Sequence, residues 1–463
     1  MKIIILGGGQ VGSTLAAQLV KESHEITVVD SDDACLKRLQ EKLDLRCVVG
    51  QATYPDILQQ AGAAEADSIV AVTASEEVNL LACQIAYTLF KTPKRIARIS
   101  ASAYLHHQET LFNPQAIPID HLLNPGRLVA NHIAQLVHYP GAHQLWIFAQ
   151  GQLALLVLKA TPDQPWINRS LSELDQQLAP CERRVVILGR QQRLLPVAPS
   201  TLIEVGDELW FVVASEQLHT LITAWEGSTT AQPTRRVVIV GGGNIGAALA
   251  RQLVPHYNVK VIERNAQRAT ELSALLPEAL VFCTHGSDQT LLLEEHIEQS
   301  DLFIAVTNDD EDNILSALLA RHLGAKQTLV LIQQPIYHDL IQDQGIDRVI
   351  TPQQITISAI LTHLHCPAIK AVCSLQQGEV EVMEWQIEGE ISTSQVIGRQ
   401  VGEIMLPEGG RLIALARGKL VSIADDQQEI QAGDHLILLL FDKKSLGALE
   451  KQLQPTVIPQ PAR

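Results

Sequence analysis

Two stretches of the chain decide the fold: KIIILGGGQVGSTLAAQLV over residues 2–20 and RVVIVGGGNIGAALARQLV over residues 236–254. In each stretch an aliphatic run enters a glycine-rich turn, and an amphipathic pattern with helical spacing follows at once. A strand, glycine turn and helix in this order are typical of the first βα unit of a Rossmann domain. Because the whole pattern occurs twice, the sequence predicts a duplicated α/β protein with two doubly wound parallel sheets.

The glycines of the two turns are spaced as in dinucleotide-binding domains, Gly7-x-Gly9-x-x-Gly12 and Gly241-x-Gly243-x-x-Gly246. The first glycine permits the tight turn, the second lets a pyrophosphate approach the backbone, and the third allows close packing of helix on strand. The next predicted strand ends in Asp30 or Glu263, about 20 residues farther on, where a carboxylate binds the adenosine ribose. We therefore predict a nucleotide site in each copy. The alternative is a glycine turn followed by an ordinary surface acid.

Further candidates lie at the ends of later strands. Thr73 and Thr307 close the matching strands DSIVAVT and DLFIAVT, at the sheet edge that binds ligands; helix capping is their alternative role. Arg98 ends KRIAR and could reach a phosphate, although it could equally be a solvated arginine, and Val330 aligns with it in the second copy. The predicted binding residues are Gly7, Gly8, Gly9, Gln10, Val11, Gly12, Asp30, Gln51, Thr73, Ala74 and Arg98 in the first copy, and Gly241, Gly242, Gly243, Asn244, Ile245, Gly246, Glu263, His285 and Thr307 in the second.

After each Rossmann pattern the chain repeats a helix bracketed by prolines and then a small module of short strands. The predicted divisions are a Rossmann domain over 1–124, a linker helix over 125–140, a small α+β domain over 141–226, a linker over 227–234, a second Rossmann domain over 235–351, a second linker helix over 352–367, a second α+β domain over 368–455 and a tail over 456–463. Equal spacing of the prolines in the two copies supports this division.

Composition excludes several classes of protein. The formal charge of −16 repels nucleic-acid phosphates, so no nucleic-acid partner is predicted. The seven cysteines are scattered and include no CxxC, which predicts neither disulfides nor a zinc site and favours a reducing cytosol. No signal peptide and no apolar run of about 18 residues is visible, so we predict neither secretion nor a membrane span.

No catalytic set accompanies the cofactor motifs, so we predict no enzyme and no metal site. The richest candidate, His363-x-His365-Cys366, lies on a predicted helix whose side chains two positions apart point to different faces. The pair His106-His107 is expected to be solvated surface. Two nucleotide units without catalytic groups favour a sensor that responds to ligand by rearrangement. A nicotinamide-dependent oxidoreductase with a duplicated cofactor domain and a scaffold with vacant pockets are the alternatives.

Over essentially its whole length, this order of motifs resembles the TrkA family of regulators of bacterial Trk potassium uptake, which consist of tandem RCK N-terminal and C-terminal domains. The resemblance implies a peripheral protein on the cytoplasmic face of the inner membrane that binds NAD(H), with ATP or ADP as further candidate ligands. It also implies gating of a potassium-translocating subunit of the TrkH or TrkG type, and a ring of RCK units formed by a homotetramer.

Two departures from the family pattern concern the position after the third strand. Family members commonly have Gly-Asp-Ala there, whereas this chain has Gly50-Gln51-Ala52 and Thr284-His285-Gly286. His285 is expected to make the second site sensitive to pH near neutrality. Arg264, next to Glu263, is compatible with a phosphorylated ribose. We therefore expect unequal sites, with the first a firm dinucleotide binder and the second weaker or differently selective.

Overall fold

The structure of the chain is a computed structural model that describes residues 1–178, 183–191, 193–227, 236–341, 344–375, 378–391, 393–406, 409–441 and 446–454. Cys181, nearly all of the predicted linker over 227–234 and the predicted tail over 456–463 lie outside the described residues. Within the described ranges, no helix combines the length and apolarity needed to cross a membrane.

The first segment is a doubly wound α/β domain. Its elements are β1 (Lys2–Leu6), α1 (Gln10–Lys21), β2 (Glu25–Asp30), α2 (Asp33–Gln40), β3 (Arg46–Val49), α3 (Pro55–Gln60), β4 (Ser68–Ala71), α4 (Glu76–Ile85), β5 (Lys94–Arg98), α5 (Ser102–Leu105), α6 (Gln108–Leu111) and β6 (His121–Leu123). The strands form one parallel sheet in the order β3-β2-β1-β4-β5-β6. This order is typical of Rossmann domains and confirms the predicted fold.

A helix and a small antiparallel module follow. They comprise α7 (Pro125–His138), β7 (Gln144–Phe148), β8 (Leu153–Lys159), α8 (Leu171–Gln177), β9 (Arg183–Arg190), β10 (Arg193–Pro196), β11 (Glu208–Ala214) and α9 (Leu218–Glu226). The strand order is β10-β9-β11-β8-β7. Proline at the start of α7 fits the first turn of a helix, where a backbone N–H is not needed.

The second Rossmann segment repeats the first. Its elements are β12 (Arg236–Val240), α10 (Asn244–Leu253), β13 (Asn258–Ile262), α11 (Ala266–Leu275), β14 (Leu280–Phe282), α12 (Gln289–Glu294), β15 (Leu302–Ala305), α13 (Asp310–His322), β16 (Thr328–Leu331), α14 (Pro335–Ile341) and β17 (Arg348–Ile350). The sheet is again parallel, in the order β14-β13-β12-β15-β16-β17. The duplication seen in the sequence is thus a duplication of topology.

The last segment repeats the helix and the module. It contains α15 (Pro352–Leu364), β18 (Ile369–Leu375), β19 (Val380–Gln386), β20 (Arg411–Arg417), β21 (Leu420–Ile423), β22 (His435–Leu440) and α16 (Leu446–Leu453). The sheet order β18-β19-β22-β20-β21 matches that of the first module when read from the other edge. Each module therefore has the same antiparallel topology, which confirms the predicted pair of small α+β domains.

The chain forms two compact units that do not follow its linear order. One unit joins residues 1–125 to residues 353–463, and the other consists of residues 126–352. The first Rossmann domain therefore shares a unit with α15 and the second module, whereas α7 and the first module share a unit with the second Rossmann domain. The boundaries predicted from the sequence instead divide the chain segment by segment.

A continuous apolar core explains why two distant segments of the chain form the first unit. Buried residues of the first Rossmann domain, such as Ile5 and Leu15, belong to the same cluster as Ile360 on α15 and Trp385 in the module. Burial of each such side chain stabilises the fold by about 1.5–3 kcal/mol. Unit 1 thus depends on packing between segments that are distant in the chain.

In the second unit a buried arginine links the Rossmann sheet to α7. Arg348 on β17 is 3% exposed and donates to the carbonyl oxygen of Leu136 on α7 at 3.1 Å and to Gln327 Oε1 at 2.7 Å. Burial lowers the pKa of Arg348 to about 10. The side chain remains charged at neutral pH, since that pKa lies well above 7.

The corresponding junction in the first unit uses histidines. The rings of His121 on β6 and His363 on α15 stack with centroids 4.1 Å apart, and Lys94 Nζ donates to the His363 carbonyl oxygen at 2.8 Å. Burial, aided by the nearby His121 and Lys94, lowers the pKa of His363 from 6.5 to about 4. His363 is therefore neutral in the folded unit at pH values where an unfolded histidine is already charged.

This difference predicts that acid weakens unit 1. Between pH 6.5 and about 4 the unfolded chain binds a proton that folded His363 does not, so stability falls as the pH is lowered through this window. We expect the apparent Tm to fall less between pH 7 and pH 6 in His363→Gln than in wild type. The two drops in apparent Tm should differ by roughly 1–2 °C. Thermal unfolding at both pH values measures this. The exposed His106→Gln is the control, and an unchanged pH dependence in His363→Gln would contradict the prediction.

Candidate nucleotide-binding sites

The first glycine turn has the geometry that its sequence predicts. Gly7 adopts φ +105°, and its N–H donates to the Val29 carbonyl oxygen at 2.8 Å, which joins the turn to β2. A Cβ atom on Gly7 would lie 3.0 Å from Thr73 Cα, and one on Gly12 would lie 1.9 Å from the Gly7 carbonyl oxygen. Gly7 is therefore required by its backbone conformation and Gly12 by the close approach of helix to turn.

Gly9 lies at the open side of the same turn. It is exposed, and a Cβ atom built on it would meet no other atom within 4 Å. It is the N-cap of α1, whose first turn contains no acidic residue, so the positive end of the helix faces this open space. Gln10 is exposed and Val11 is half-buried against the core. Such a helix end can bind a phosphate group through backbone N–H groups of its first turn.

The second turn repeats this arrangement. Gly241 has φ +101°, and a Cβ atom on Gly246 would lie 1.8 Å from the Gly241 carbonyl oxygen. Gly243 is exposed, caps α10 and has open space where its side chain would be. Asn244 is exposed and Ile245 half-buried, like their counterparts in the first copy. Both copies therefore present an open, acid-free helix N-terminus next to a glycine in a backbone conformation that other residues rarely adopt.

The predicted ribose-binding acids contact the glycine turns directly. Asp30 Oδ2 accepts from the Gly8 N–H at 2.6 Å, and Glu263 Oε2 accepts from the Gly242 N–H at 2.7 Å. The other carboxylate oxygen accepts from the N–H two residues later, in Asp32 or Asn265. These bonds hold each carboxylate against its glycine turn, at Gly8 or Gly242, which is where a ribose-binding acid is expected.

The structure adds one position that the sequence motifs did not single out. The Cys35 thiol donates to the Gly8 carbonyl oxygen at 3.0 Å, and at the equivalent place Arg268 Nε donates to the Gly242 carbonyl oxygen at 2.9 Å. Burial raises the pKa of the Cys35 thiol, and the charge of Asp30 raises it further. The first turn thus has a neutral thiol where the second has a cation. Equal spacing from Asp30 and Glu263 could have identified this pair.

Thr73 and Thr307 brace the loops that follow β4 and β15. The Thr73 N–H and hydroxyl lie 3.0 and 2.7 Å from Asn79 Oδ1, and Thr307 makes the same pair of contacts with Asn313 Oδ1 at 2.8 and 2.7 Å. Helix capping is the wrong role for both threonines, because the N-caps are Ser75 and Asp309. Ala74, next to Thr73, is exposed.

Two buried amides and two acids complete the framework behind these loops. Asn79 Nδ2 donates to the Arg98 carbonyl oxygen at 3.0 Å and thereby ties α4 to the end of β5. The Glu76 carboxylate accepts from the N–H groups of Ser100 and Ala101 at 2.7 and 3.0 Å. In the second copy Asn313 and Asp310 make the corresponding bonds, to Leu331 and to Gln333 and Gln334. Sequence reasoning missed Glu76 and Asp310, although their equal spacing before the asparagines was available as a signal.

The strand register corrects the alignment around Arg98. Ala71 on β4 pairs with Ala97, and its counterpart Ala305 on β15 pairs with Val330. Val330 therefore corresponds to Ala97, and Leu331 corresponds to Arg98. Arg98 is half-buried at the end of β5, whereas Leu331 is 1% exposed. The prediction that the second copy lacks this cation holds, but the residue in its place is Leu331.

The residues after the third strands differ most between the copies. Gln51 is exposed, and the preceding Gly50 lies against the Ile57 side chain. His285 is also exposed, with Nδ1 2.8 Å from Ser287 Oγ and Nε2 3.3 Å from Asp312 Oδ2. The second site thus has an imidazole where the first has an uncharged amide.

A charged network surrounds the second turn. Arg264 Nη1 is 3.4 Å from the same Asp312 oxygen that faces His285. The Arg264 side chain is 69% exposed, so this pair is weak. Arg268 combines its bond to the turn with an ion pair to Glu271 at 3.0 Å. The second site therefore has a cation, Arg268, bonded directly to its glycine turn, where the first site has the Cys35 thiol.

The parallel register brings these groups to one edge of each sheet. The glycine turn follows β1 or β12, the acid ends β2 or follows β13, and the threonine loop follows β4 or β15. Because β1 and β4 are neighbours whose connections leave in opposite directions, a cleft forms between them at the carboxyl edge, as it does between β12 and β15. Fold and site together define a protein with two Rossmann domains, each with an open glycine turn and an adjacent carboxylate at the carboxyl edge of its sheet.

Comparison with known proteins identifies the family. The TrkA-N domain family matches residues 3–125 and 237–352. The Trk system potassium uptake protein TrkA of Vibrio alginolyticus is 47% identical, with 98% of this chain and 99% of that protein covered, and that of Haemophilus influenzae is 45% identical with the same coverage. The chain belongs to the TrkA family, as its sequence motifs predicted.

Solved structures share the fold at low sequence identity. The crystal structure of the GsuK RCK domain has a TM-score of 0.58 at 18% identity, with 98% of this chain and 94% of that chain covered. The GsuK channel bound to NAD has a TM-score of 0.59 at 17% identity, with 98% and 78% covered. The chain therefore shares the fold of these proteins along nearly its whole length.

Proposed function

We propose that this chain is a cytosolic regulatory subunit of a bacterial Trk-type potassium uptake system and that nucleotides bound at its glycine turns control uptake. The observation that carries the proposal is the pair of open, acid-free helix N-termini, each beside a carboxylate held against its glycine turn. A phosphate suits the helix end and ribose hydroxyls suit the carboxylate. The family relatives are named for potassium uptake, which gives the proposed process.

The proposed ligand of the first site is NAD(H), with ATP or ADP as alternatives at either site. The binding groups are the backbone of the glycine turns, Asp30 and Glu263 for ribose, and the loops at Thr73, Ala74 and Thr307. Arg98 supplies a cation to the first site, and Gln51 and His285 line the edge after the third strand. We expect the two sites to differ in affinity, since Arg268 and His285 have no charged counterparts in the first copy.

The proposed arrangement is a peripheral regulator on the inner face of the bacterial membrane. Residues 1–124 and 235–351 are the nucleotide-binding domains, and residues 141–226 and 368–455 are the C-terminal domains. The partner is a potassium-translocating subunit of the TrkH or TrkG type, and the chain self-associates into a ring as a homotetramer. Its charge of −16 suits basic cytoplasmic loops of a membrane partner.

Nucleotide titration of purified protein tests the sites. Wild type, Gly9→Asp and Gly243→Asp are each titrated with NAD, NADH, ATP and ADP by calorimetry. A Cβ atom at either position meets nothing within 4 Å, so each new carboxylate should repel phosphate at its own site while thermal stability is retained. Gln115→Asp adds the same charge in an exposed loop before β6, at the opposite edge of the sheet, and should bind like wild type.

Potassium uptake tests the function. We expect a strain that carries Gly9→Asp together with Gly243→Asp to lose nucleotide control of uptake at low external potassium. Normal uptake in that strain and in a deletion strain would refute the regulatory role. Turnover of NAD(H) with a small substrate by the purified protein would instead support an oxidoreductase.

The second site is expected to depend on pH. The sequence predicts this dependence from His285, which lies exposed at the edge after the third strand. Calorimetry in the Gly9→Asp background measures the second site alone. His285→Gln should remove the pH dependence, and an affinity that is constant over this range in the Gly9→Asp protein would contradict the prediction.

A further inference from the structure

A cluster of metal-ligating side chains lies in unit 1, away from the nucleotide site. Glu22 caps the C-terminal end of α1, His24 follows in the turn before β2, and His365 comes directly after α15. The turn between α1 and β2 is tight, with Ser23 in the left-handed region at φ +62°. This conformation turns the chain back, so that Glu22 and His24 lie on the same side and face His365.

The distances within the cluster match those between ligands of one metal ion. Glu22 Oε2 lies 3.4 Å from His24 Nε2 and 3.8 Å from His365 Nε2, and the three ligand atoms lie within 4.8 Å of one another. Tetrahedral zinc with bonds of about 2.0–2.1 Å places its ligand atoms about 3.3 Å apart. Small rotations of these side chains would therefore bring the three atoms to coordination distance.

Burial and charge also favour a cation at this point. The side chains of Glu22, His365 and His24 are 0%, 1% and 15% exposed. Glu450 on α16 is a second carboxylate near the cluster. Burial raises its pKa, and the charge of Glu22 raises it further, whereas His24 and the N-terminal ammonium lower it. A partly buried region with two carboxylates attracts a divalent cation, since the attraction is strong where water is excluded.

We propose that Glu22, His24 and His365 bind a divalent transition-metal ion of the zinc class, with water as the fourth ligand. Two imidazoles and one carboxylate are a known zinc ligand set, and an oxygen and nitrogen set excludes the softer thiolate-selective ions. His24 Nδ1 lies 3.5 Å from the N-terminal amino group, so its other ring nitrogen is the one that faces the cluster. The ion would join the turn after α1 to the end of α15.

The duplicated unit provides an internal contrast. Helices α7 and α15 align proline to proline, so His138 stands where His365 does, and His256 and Asn258 stand where Glu22 and His24 do. In unit 2 the Tyr257 hydroxyl lies 2.5 Å from His138 Nδ1, and no carboxylate occupies the Glu22 position. Among the described residues, the group in unit 1 is the one set of three side chains with metal-ligand spacing. We therefore expect one such ion per chain.

Metal binding here would stabilise the packing of the first nucleotide domain on the second module. The cluster lies at the C-terminal end of α1, whose N-terminal end forms the glycine turn. His365 is continuous with α15, which shares the core of unit 1. Since an ion that binds only the folded state raises stability, zinc should increase the apparent Tm of the full chain.

Zinc titration of the full chain tests the proposal. Protein freed of metal with a chelator is titrated with Zn²⁺ against a chromophoric competitor, for wild type, Glu22→Gln, His365→Gln and the matched His138→Gln. We expect wild type and His138→Gln to bind one equivalent that both site variants bind at least roughly 100-fold more weakly. Equal stoichiometry and affinity in all four proteins would assign the zinc to surface histidines and overturn the proposal.

A measurement on wild type alone keeps the test decisive if a site variant does not fold. X-ray absorption of the protein loaded with one equivalent of Zn²⁺ should report a four-coordinate ion with two imidazole ligands and oxygen. Co²⁺ in place of Zn²⁺ should give the intense visible absorption of a tetrahedral site. A six-coordinate oxygen environment in either experiment would refute the proposal, as would an apparent Tm that Zn²⁺ leaves unchanged.

Discussion

Replacing Gly12 with alanine is expected to destabilise the first Rossmann domain by about 3 kcal/mol and to weaken its nucleotide binding at least roughly 100-fold. The new Cβ atom would lie 1.9 Å from the Gly7 carbonyl oxygen, far inside van der Waals contact. The helix backbone fixes the position of the Cβ atom, and the oxygen belongs to the backbone of the turn, so no side-chain rotation can relieve the clash. The helix must move away from the strand, and the N–H groups proposed to bind phosphate move with it.

Thermal unfolding and nucleotide titration measure the two effects separately. A loss of about 3 kcal/mol corresponds to roughly 6–12 °C in apparent Tm for a unit of this size. Gly9→Ala is the matched control for stability alone, because its Cβ atom meets nothing within 4 Å and the fold should remain stable. Gly246→Ala should repeat the effect in the second unit, where the distance is 1.8 Å. A Gly12→Ala protein as stable as Gly9→Ala would contradict the argument.

Replacing Asp434 with alanine is expected to destabilise the second C-terminal module by about 3 kcal/mol. The Asp434 carboxylate is 0% exposed and accepts from Arg417 Nε and Nη2 at 2.7 Å each and from the Gln431 N–H at 2.8 Å. These bonds raise the pKa of Arg417. Removal of the acid leaves the partly buried guanidinium and a turn N–H without their acceptor, which costs more than the pair contributes to stability.

Urea unfolding of the full chain measures this loss, and two other variants calibrate it. Asp207→Ala should have a similar effect in the first module, because Asp207 is 1% exposed and accepts from Arg190 Nε and Nη2 at 2.8 and 2.7 Å. Glu65→Ala removes the exposed pair with Lys2, which solvent screens, so stability should change little. If Asp434→Ala and Glu65→Ala lowered the free energy of unfolding by equally small amounts, the prediction would be contradicted, since burial of the Asp434 carboxylate would then have no effect on stability.

The Rossmann domains were predictable because their signals are local. Gly7 and Gly12 lie within one turn of chain, and Asp30 ends the next strand, so spacing alone predicts that they meet. The parallel sheets and the antiparallel modules of the structure confirm this interpretation. The individual ligand contacts of the site residues remain predictions, since they depend on the nucleotide that binds.

Contacts between neighbouring strands were harder to predict. The sequence alignment gave Val330 as the counterpart of Arg98, whereas the register gives Leu331, because one residue of slip is invisible in a run of similar aliphatic side chains. The exchange of a thiol for a guanidinium at Cys35 and Arg268 likewise emerged only from hydrogen bonds to the turns. The counterpart of Arg98 and the exchange at Cys35 both depend on backbone geometry in three dimensions. That geometry sets which residues pair and where their side chains point.

The amino-acid sequence by itself determined that two Rossmann domains and two small modules exist, because periodicity, glycine spacing and repetition act over short stretches of chain. Only the tertiary structure decided that the first Rossmann domain shares a compact unit with the second module. Apolar faces such as those of α7 and α15 indicate burial but not the surface that covers them, since hydrophobic attraction has no direction. The same long-range packing brings His365 to Glu22 and His24. Apolar side chains from segments distant in the chain form the shared core that holds these partners together.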